Sequence, residues 1–252
     1  MYESLPYVSF WRAKGFFTNA MTFAHSFGIL LCFFVPYFLW RGSSRSFERK
    51  VLNWFGLLIF AMAVTFSLTR GLWFAVFTAL MVMSLFKSKR IFLGVIIGIG
   101  VVFSLSYFYI DTFRMRINTT FDRSSAPVKD RLDLWRSNWV MFKENPVLGV
   151  GLNHNGEIVQ EYHLKVHGRE AYVSHAHNNY LQILAGTGFL GFLAYISLIF
   201  MCFYMAIRGY FKMKKKGGDE RLFIGAVGAL TCFHVGGLTE ANLVDGEVTH
   251  AH

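Results

Sequence analysis

Apolar residues run along this chain in six long segments, which short polar and basic stretches separate. The segments cover about residues 22–40, 51–69, 71–86, 91–110, 183–207 and 222–239. A helix of about 20 apolar residues is long enough to cross the hydrocarbon core of a bilayer. The pattern therefore predicts an all-α polytopic membrane protein with about six transmembrane helices in a single membrane domain, residues 1–252.

Basic residues indicate the orientation of these helices. They concentrate in three short stretches, at residues 41–50, 87–90 and 208–221. Cytoplasmic loops carry an excess of Lys and Arg, and these stretches alternate consistently with the six spans. We therefore expect the large loop at residues 111–180 to face the outside, together with the corner at residues 69–71 and the tail after Thr239.

The large loop contains an amphipathic pattern of its own. From residue 130 it reads DRLDLWRSNWVMFKENP, in which Leu132, Trp135, Trp139 and Phe142 recur at helical spacing before the Asn-Pro stop. This spacing predicts a helix that lies at the membrane surface.

Arginines near this surface are candidate phosphate ligands. Arg131 and Arg136 lie on the predicted surface helix, and Arg70 lies at the corner between two spans. A guanidinium group binds phosphate oxygens bidentately. The simpler interpretation is an interfacial anchor, whose stem follows apolar surface while its charge reaches headgroups and water. For Arg70 the two interpretations carry equal weight, because a charge at the membrane boundary is a functional hypothesis by default.

The end of the loop offers a candidate general base. Residues 174–191 read SHAHNNYLQILAGTGFLG, so Ser174 is predicted to cap a helix whose first turn contains His177, with Tyr180 on the same face. The helix dipole disfavours imidazolium there, which leaves a neutral ring able to accept a proton. Alternatively the ring only hydrogen-bonds Asn178 or a cap. A weaker alternative is a metal site that combines His175 and His177 with His154, His163 or His167.

Acidic residues follow the last span. Glu240, Asp245 and Glu247 lie in the segment GLTEANLVDGEV, on the same predicted outer side as the arginines. They either contact sugar hydroxyls or pair with arginine. Without further evidence, solvated acids of the tail are the plainer interpretation.

Composition supports the membrane class and excludes others. The chain is 54% hydrophobic with a mean hydropathy of +0.39, which a soluble domain rarely tolerates. Its formal charge of +10 does not indicate a nucleic-acid partner, because the bases do not interleave with aromatic residues along one face. Glycines within the spans, including Gly94, Gly98, Gly225 and Gly228, are expected to permit close helix packing.

Several motifs occur together in a specific order. They are RAKGFFTNAMTFA, SLTRG, RLDLW, NPVLGVGLN, HAHNNYLQILAGTGFLG and GLTEANLVDGEV. In this combination the chain resembles the O-antigen ligase and polymerase family of bacterial inner-membrane glycosyltransferases. The resemblance implies a GT-C-like fold and a multi-pass protein of the inner membrane whose active face is periplasmic. It also implies that the chain is a C-terminal portion.

The resemblance further implies a reaction. Members transfer a glycan from an undecaprenyl-pyrophosphate carrier to a hydroxyl of the lipopolysaccharide core or of a growing glycan. Carried over to this chain, it makes Arg70 and Arg131, with Arg136, ligands of the donor pyrophosphate and makes His177 the general base. Further expected substrate contacts are Asn178, His175, Tyr180 and Glu240.

The expected mechanism inverts the anomeric centre and uses no metal or other cofactor, because the loop shows no paired carboxylates that would hold a metal ion. The main alternative is a transporter or flippase for an anionic lipid-linked glycan, in which the arginines guide the pyrophosphate. A zinc-dependent membrane hydrolase that uses the loop histidines ranks last.

Overall fold

The computed structural model describes residue 17 and residues 20–39, 47–118, 126–152, 154–169, 171, 175–240 and 242–243. Within these ranges the chain forms helices and no strand. They are α1 (Ala20–Leu39), α2 (Phe47–Phe66), α3 (Arg70–Leu85), α4 (Lys89–Tyr109), α5 (Asp111–Asn118), α6 (Ala126–Glu144), α7 (Asn155–His167), α8 (Asn179–Lys215) and α9 (Arg221–Gly236).

Helices α1 to α4, α8 and α9 coincide with the six predicted spans. Three of them, α1, α4 and α8, are long and apolar enough to cross a membrane. The apolar helical segments of the other three have 16 residues each, at Val51–Phe66, Arg70–Leu85 and Arg221–Gly236. At 1.5 Å per residue such a helix covers about 24 Å of the roughly 30 Å hydrocarbon core. The all-helical fold is therefore confirmed, and the number of six spans stays a prediction.

Helix α9 forms the centre of the bundle, where it packs against α1, α3 and α8. Gly225 faces the backbone of Phe33, and Gly228 faces the side chain of Met83, so these glycines permit the close packing expected of them. Gly94 and Gly98 differ. A Cβ at either position would have no contacting atom within 4 Å among the described residues, so the packing expected at this GxxxG motif is absent there.

The segment between α4 and α8 folds into three further helices. Helix α6 confirms the predicted amphipathic helix and begins one turn earlier than expected. Its buried face, however, contains Leu134, Asn138 and Met141, which face α7 and α8. Leu132 and Trp139, on the predicted apolar face, are exposed. The sequence did not predict α7.

A break at Gly188 divides α8. Gly188 has φ 65° and ψ −168°, which interrupts the helical ladder. The segment that follows α6 supplies the missing partners. Val150 and Gly151 donate to the carbonyls of Ala185 and Gly186 at 3.1 and 2.8 Å, and Phe189 donates to the carbonyl of Pro146 at 2.8 Å. The motifs NPVLGVG and AGTG thus join backbone to backbone, which fixes α8 beneath the loop helices.

We expect Gly188→Ala to lower the thermal stability of the protein. Alanine disfavours positive φ by about 1–2 kcal/mol, and its Cβ would overlap the backbone carbonyl of Val147, so the cost exceeds that range. The measurement is the melting temperature of the purified protein in detergent. Gly98→Ala is the control, since that helix position has open space and alanine is the better helix former. Equal melting temperatures for Gly188→Ala and wild type would contradict the expectation.

Candidate active site

The residues that follow α9 lie against the beginnings of α8 and α3. The backbone N–H of Asn179 donates to the carbonyl of Gly237 at 2.8 Å. Gly71, the second residue of α3, faces the side chain of Thr239. These contacts bring the corner that contains Arg70 to the same end of the bundle as the start of α8. The structure thus assembles at this end the three chain segments that the sequence predicted to share one side.

Glu240 lies at the centre of this end, with 6% of its surface exposed. Its Oε1 accepts a hydrogen bond from Arg131 Nη2 at 2.6 Å, and its Oε2 is 2.9 Å from His177 Nδ1. We refer to these three residues as the Arg131–Glu240–His177 triad. The interpretation of Glu240 as a solvated acid is therefore wrong, and its pairing with an arginine is confirmed. Asp245 and Glu247 lie outside the described residues.

The charge of Glu240 fixes the tautomer of the histidine beside it. Burial alone would raise the pKa of Glu240, but the hydrogen bond from His177 and the positive charge of Arg131 hold this pKa below its usual value. The carboxylate is thus ionised at neutral pH and only accepts hydrogen bonds. Nδ1 of His177 must therefore carry the proton, and in the neutral ring Nε2 presents a lone pair.

His177 does not lie in a helix. Its φ is 48°, in the left-handed region, and it precedes Asn178, which is the N-cap of α8. The expectation that His177 occupies the first helical turn is wrong, and the proposed cap Ser174 lies outside the described residues. The carboxylate of Glu240 contacts the His177 ring directly, so the electrostatic environment of the ring is set by this carboxylate and not by the dipole of α8. A non-glycine residue at such a φ costs about 1–3 kcal/mol and persists where the surroundings enforce it, often at functional sites.

The residues next to His177 enforce this conformation. Asn178 Oδ1 accepts hydrogen bonds from the backbone N–H groups of Tyr180 and Leu181, and its Nδ2 donates to the carbonyl of Leu238 at 3.0 Å. Tyr180 donates its hydroxyl to the carbonyl of His234 at 3.1 Å. These bonds attach the start of α8 to the end of α9. Asn178 and Tyr180 are thereby placed to position the triad, whatever contact they make with substrate.

His175 packs beside the triad. Its ring lies edge to face against that of His177, with centroids 4.3 Å apart. The residue is partly buried, within the turn that leads into α8. The structure therefore brings His175 together with His177.

Arg136 lines an open pocket of about 640 Å³. The pocket lies between α6 and the start of α8, and its lining combines cationic and apolar side chains: Lys129, Leu132, Asp133, Trp135, Arg136, Trp139 and Leu181. Arg131 and Arg136 thus have different surroundings. One reaches the triad and the other faces the pocket next to it.

The histidines of the loop do not assemble as the metal alternative required. Within the part of the chain that the structure describes, the group with ligand atoms close enough for a metal is Asp133, His163 and His167. His175 and His177 are not members of this group. Among the described residues the alternative metal site around His177 is therefore not formed.

The comparison with known families decides the classification. The O-antigen ligase family matches residues 55–196, which is more than half of the chain. The chain belongs to the O-antigen ligase family. No curated protein matches it. The resemblance seen in the motifs is confirmed, and the O-antigen ligase family places this membrane protein in lipid-linked glycan transfer. Of the triad, Arg131 and His177 lie inside the matched segment and Glu240 follows it.

Sequence reasoning about this O-antigen ligase family protein missed His25. This residue of α1 is 4% exposed, its ring faces Gly236, and it is an electrostatic neighbour of Glu240. A signal was present in the sequence, because an ionisable residue inside an apolar span is rare and usually functional. We therefore count His25 among the ionisable residues that surround the triad.

Proposed function

We propose that this O-antigen ligase family protein transfers a glycan from an undecaprenyl-pyrophosphate carrier to an acceptor hydroxyl, with inversion at the anomeric carbon. The observation that carries the proposal is the Arg131–Glu240–His177 triad, in which a buried carboxylate orients a histidine beside cations and an open pocket. Lipopolysaccharide core or a growing glycan serves as acceptor.

In this proposal His177 acts as the general base. Its Nε2 removes the proton of the acceptor hydroxyl as the hydroxyl oxygen attacks the anomeric carbon. Glu240, bonded to Nδ1, stabilises the imidazolium that forms, as the buried carboxylate does in a hydrolase triad. The bond between the anomeric carbon and the pyrophosphate oxygen breaks on the opposite side, which inverts the centre.

Arginines stabilise the leaving group. The departing pyrophosphate gains negative charge, and fixed cations lower the energy of that charge without having to reorganise. Arg131 is held by Glu240 and keeps about a third of its side chain exposed, so its remaining N–H groups are available to a ligand. Arg70 approaches from the start of α3, and Arg136 lines the pocket. In this proposal three arginines from two helices bind the pyrophosphate of the donor.

The same proposal includes a topology. Six spans, with the basic stretches in the cytoplasm, put the loop at residues 111–180 and the triad on the periplasmic face of the bacterial inner membrane. The exposed apolar surface of α4 and of the second half of α8 supports contact with lipid, since residues such as Val102, Phe108 and Phe200 are more than 60% exposed. Donor lipid then reaches the pocket from the membrane plane.

Transfer by purified protein in proteoliposomes tests the function. With lipid-linked glycan and acceptor present, we expect a new glycosidic bond and released undecaprenyl pyrophosphate. Arg70→Ala is expected to lower the rate by about 10²-fold, the effect of removing one fixed donor from a developing charge. Arg208→Ala is the matched control, because Arg208 is an exposed arginine of α8 near the other end of that helix.

Two outcomes would argue against the proposal. Movement of the glycan across the membrane without a new glycosidic bond would favour a flippase, and an unchanged rate for Arg70→Ala would remove Arg70 from the donor site. The same assay in spheroplasts, with a membrane-impermeant acceptor supplied from outside, tests on which side of the membrane transfer takes place. Transfer to that acceptor is expected only if the triad faces the periplasm.

A further inference from the structure

A second cluster of ionisable side chains lies on the other side of α6. Asp133 of this helix meets His163 and His167 of α7, and their ligand atoms lie within 4.8 Å of one another. Asp133 is two residues from Arg131, which is about 200° around a helix of 3.6 residues per turn. The cluster therefore faces away from the triad, although Asp133 also lines the pocket beside Arg136.

The two histidines present a common face. They are four residues apart on α7, so their side chains lie one turn above the other, and their ring centroids are 4.7 Å apart. His163 is 2% exposed, whereas the side chains of His167 and Asp133 are 11% and 12% exposed. The cluster is therefore largely withdrawn from water and keeps a narrow access to it.

Backbone carbonyls select the tautomer of each ring. Nδ1 of His163 is 2.9 Å from the carbonyl oxygen of Arg169, and Nε2 of His167 is 3.0 Å from the carbonyl oxygen of Asp133. A carbonyl only accepts, so these nitrogens carry the protons. In the neutral rings the lone pairs lie on Nε2 of His163 and on Nδ1 of His167. Metal-bound histidines commonly donate their other N–H to a carbonyl in this way.

The carboxylate of Asp133 completes the set. Its Oδ1 is 3.6 Å from His167 Nδ1, and its Oδ2 accepts a hydrogen bond from Arg169 at 2.9 Å. A lone pair that faces a carboxylate oxygen is repulsive unless a proton or a cation lies between them. Two imidazoles and one carboxylate are ligands that Zn²⁺ accepts, with solvent as a further ligand.

We propose that Asp133, His163 and His167 form a binding site for Zn²⁺ that clamps α7 onto α6. The bound ion would also fix the turn at Gly168 and Arg169, because Arg169 contacts both the carboxylate and one of the histidines. That turn leads towards His175 and His177. The site is thus a structural brace of the loop, and its two histidines, unlike Asp133, are not among the residues that line the proposed donor pocket.

Zinc binding by the purified protein, prepared without a polyhistidine tag and treated with chelator, tests this site. After Zn²⁺ is added to the chelator-treated protein and the excess is removed by desalting, we expect the wild type to retain one equivalent of Zn²⁺. We also expect it to melt at a higher temperature with Zn²⁺ than without it. His163→Asn and His167→Gln are expected to lose both effects. These variants keep an amide N–H in place of the bond to Arg169 or to the Asp133 carbonyl, so their folding without metal is expected to match that of wild type.

His154→Asn is the control, because this exposed histidine precedes α7 and its ring nitrogen Nδ1 lies 3.5 Å from Glu157 Oε2. It is expected to bind Zn²⁺ as wild type does. Failure of the wild type to retain Zn²⁺ would overturn the site and leave an ion pair between His167 and Asp133. Retention of Zn²⁺ by both His163→Asn and His167→Gln would place the metal elsewhere and overturn it as well.

Discussion

Replacing His177 by asparagine is expected to lower the rate of glycan transfer by about 10²–10⁴-fold, the usual contribution of a positioned general base. The asparagine amide reaches the place of Nδ1 and still donates to Glu240, but nothing replaces Nε2, which takes the proton in the proposed mechanism. Asparagine also tolerates the positive φ of this position better than most residues. The fold is therefore expected to survive while the chemistry is lost.

The measurement is the initial rate in proteoliposomes at saturating donor and acceptor, with the melting temperature of each preparation. His154→Asn makes the same substitution at an exposed ring and is expected to keep the full rate. A His177→Asn protein of normal stability that retains half of the wild-type rate would exclude His177 as the base. Loss of stability together with activity would instead assign the residue a structural role.

Periodicity and hydropathy predicted the helices of the bundle well because both patterns are local. The predicted spans overlap α1 to α4, α8 and α9, with α8 continuing to Lys215 beyond the predicted end at residue 207, and the Asn-Pro stop after α6 is correct. The buried face of α6 was missed because it contains Asp133, Ser137 and Asn138, whose burial depends on partners in α7 and on their own helix backbone. No periodicity of apolar residues marks such a face.

The break at Gly188 was missed for a related reason. Its left-handed conformation is stabilised by hydrogen bonds from a segment about 40 residues earlier in the chain, around Val150 and Gly151. The glycines of both motifs were visible in the sequence, but their pairing was not. A backbone contact between two segments that are distant in the sequence cannot be predicted from the local residue pattern of either segment.

In the candidate site, too, local features were predictable from the sequence and long-range contacts were not. Arg131 and His177 were identified from the chemistry of their side chains and from the family motifs. From the sequence, Glu240 was a sugar ligand, a partner of arginine or a solvated acid. Its burial between Arg131 and His177 excludes the solvated acid, and this contact joins residues 63 positions apart in the chain. Local pattern placed His177 inside a helix, whereas Asn178 starts that helix one residue later. Long-range contacts thus decide the roles that residue types only suggest.

Replacing Glu240 by glutamine is expected to impair both stability and transfer. Removing one partner of a fully buried ion pair typically costs about 3–5 kcal/mol, because the other charge stays buried without compensation. Here the other charge is Arg131, which keeps about a third of its side chain exposed, so a smaller loss is expected. Glutamine also no longer requires Nδ1 of His177 to carry the proton, so the wrong tautomer becomes available, and a loss of up to about 10⁴-fold in rate is expected.

The stability loss has a defined dependence on pH. In the unfolded chain a glutamate has a pKa near 4.5, and in the folded protein the pKa of Glu240 is lower. The ionised carboxylate therefore contributes stability that is fully present above pH 4.5 and is lost as the pH falls through the folded pKa. Melting temperatures of wild type and Glu240→Gln should differ most near pH 7 and converge in acid. Glu157→Gln, an exposed glutamate, should show no such gap.

A double variant separates the fold from the chemistry. Arg131→Gln in the Glu240→Gln protein removes the partly buried cation that glutamine left unpaired, so the melting temperature at pH 7 should rise again towards that of wild type. Transfer should stay low, because His177 still lacks its carboxylate and the donor site has lost an arginine. Recovery of both properties would mean that Glu240 only neutralises Arg131. Recovery of stability alone is the result that separates the effect of Glu240 on folding from the loss of transfer.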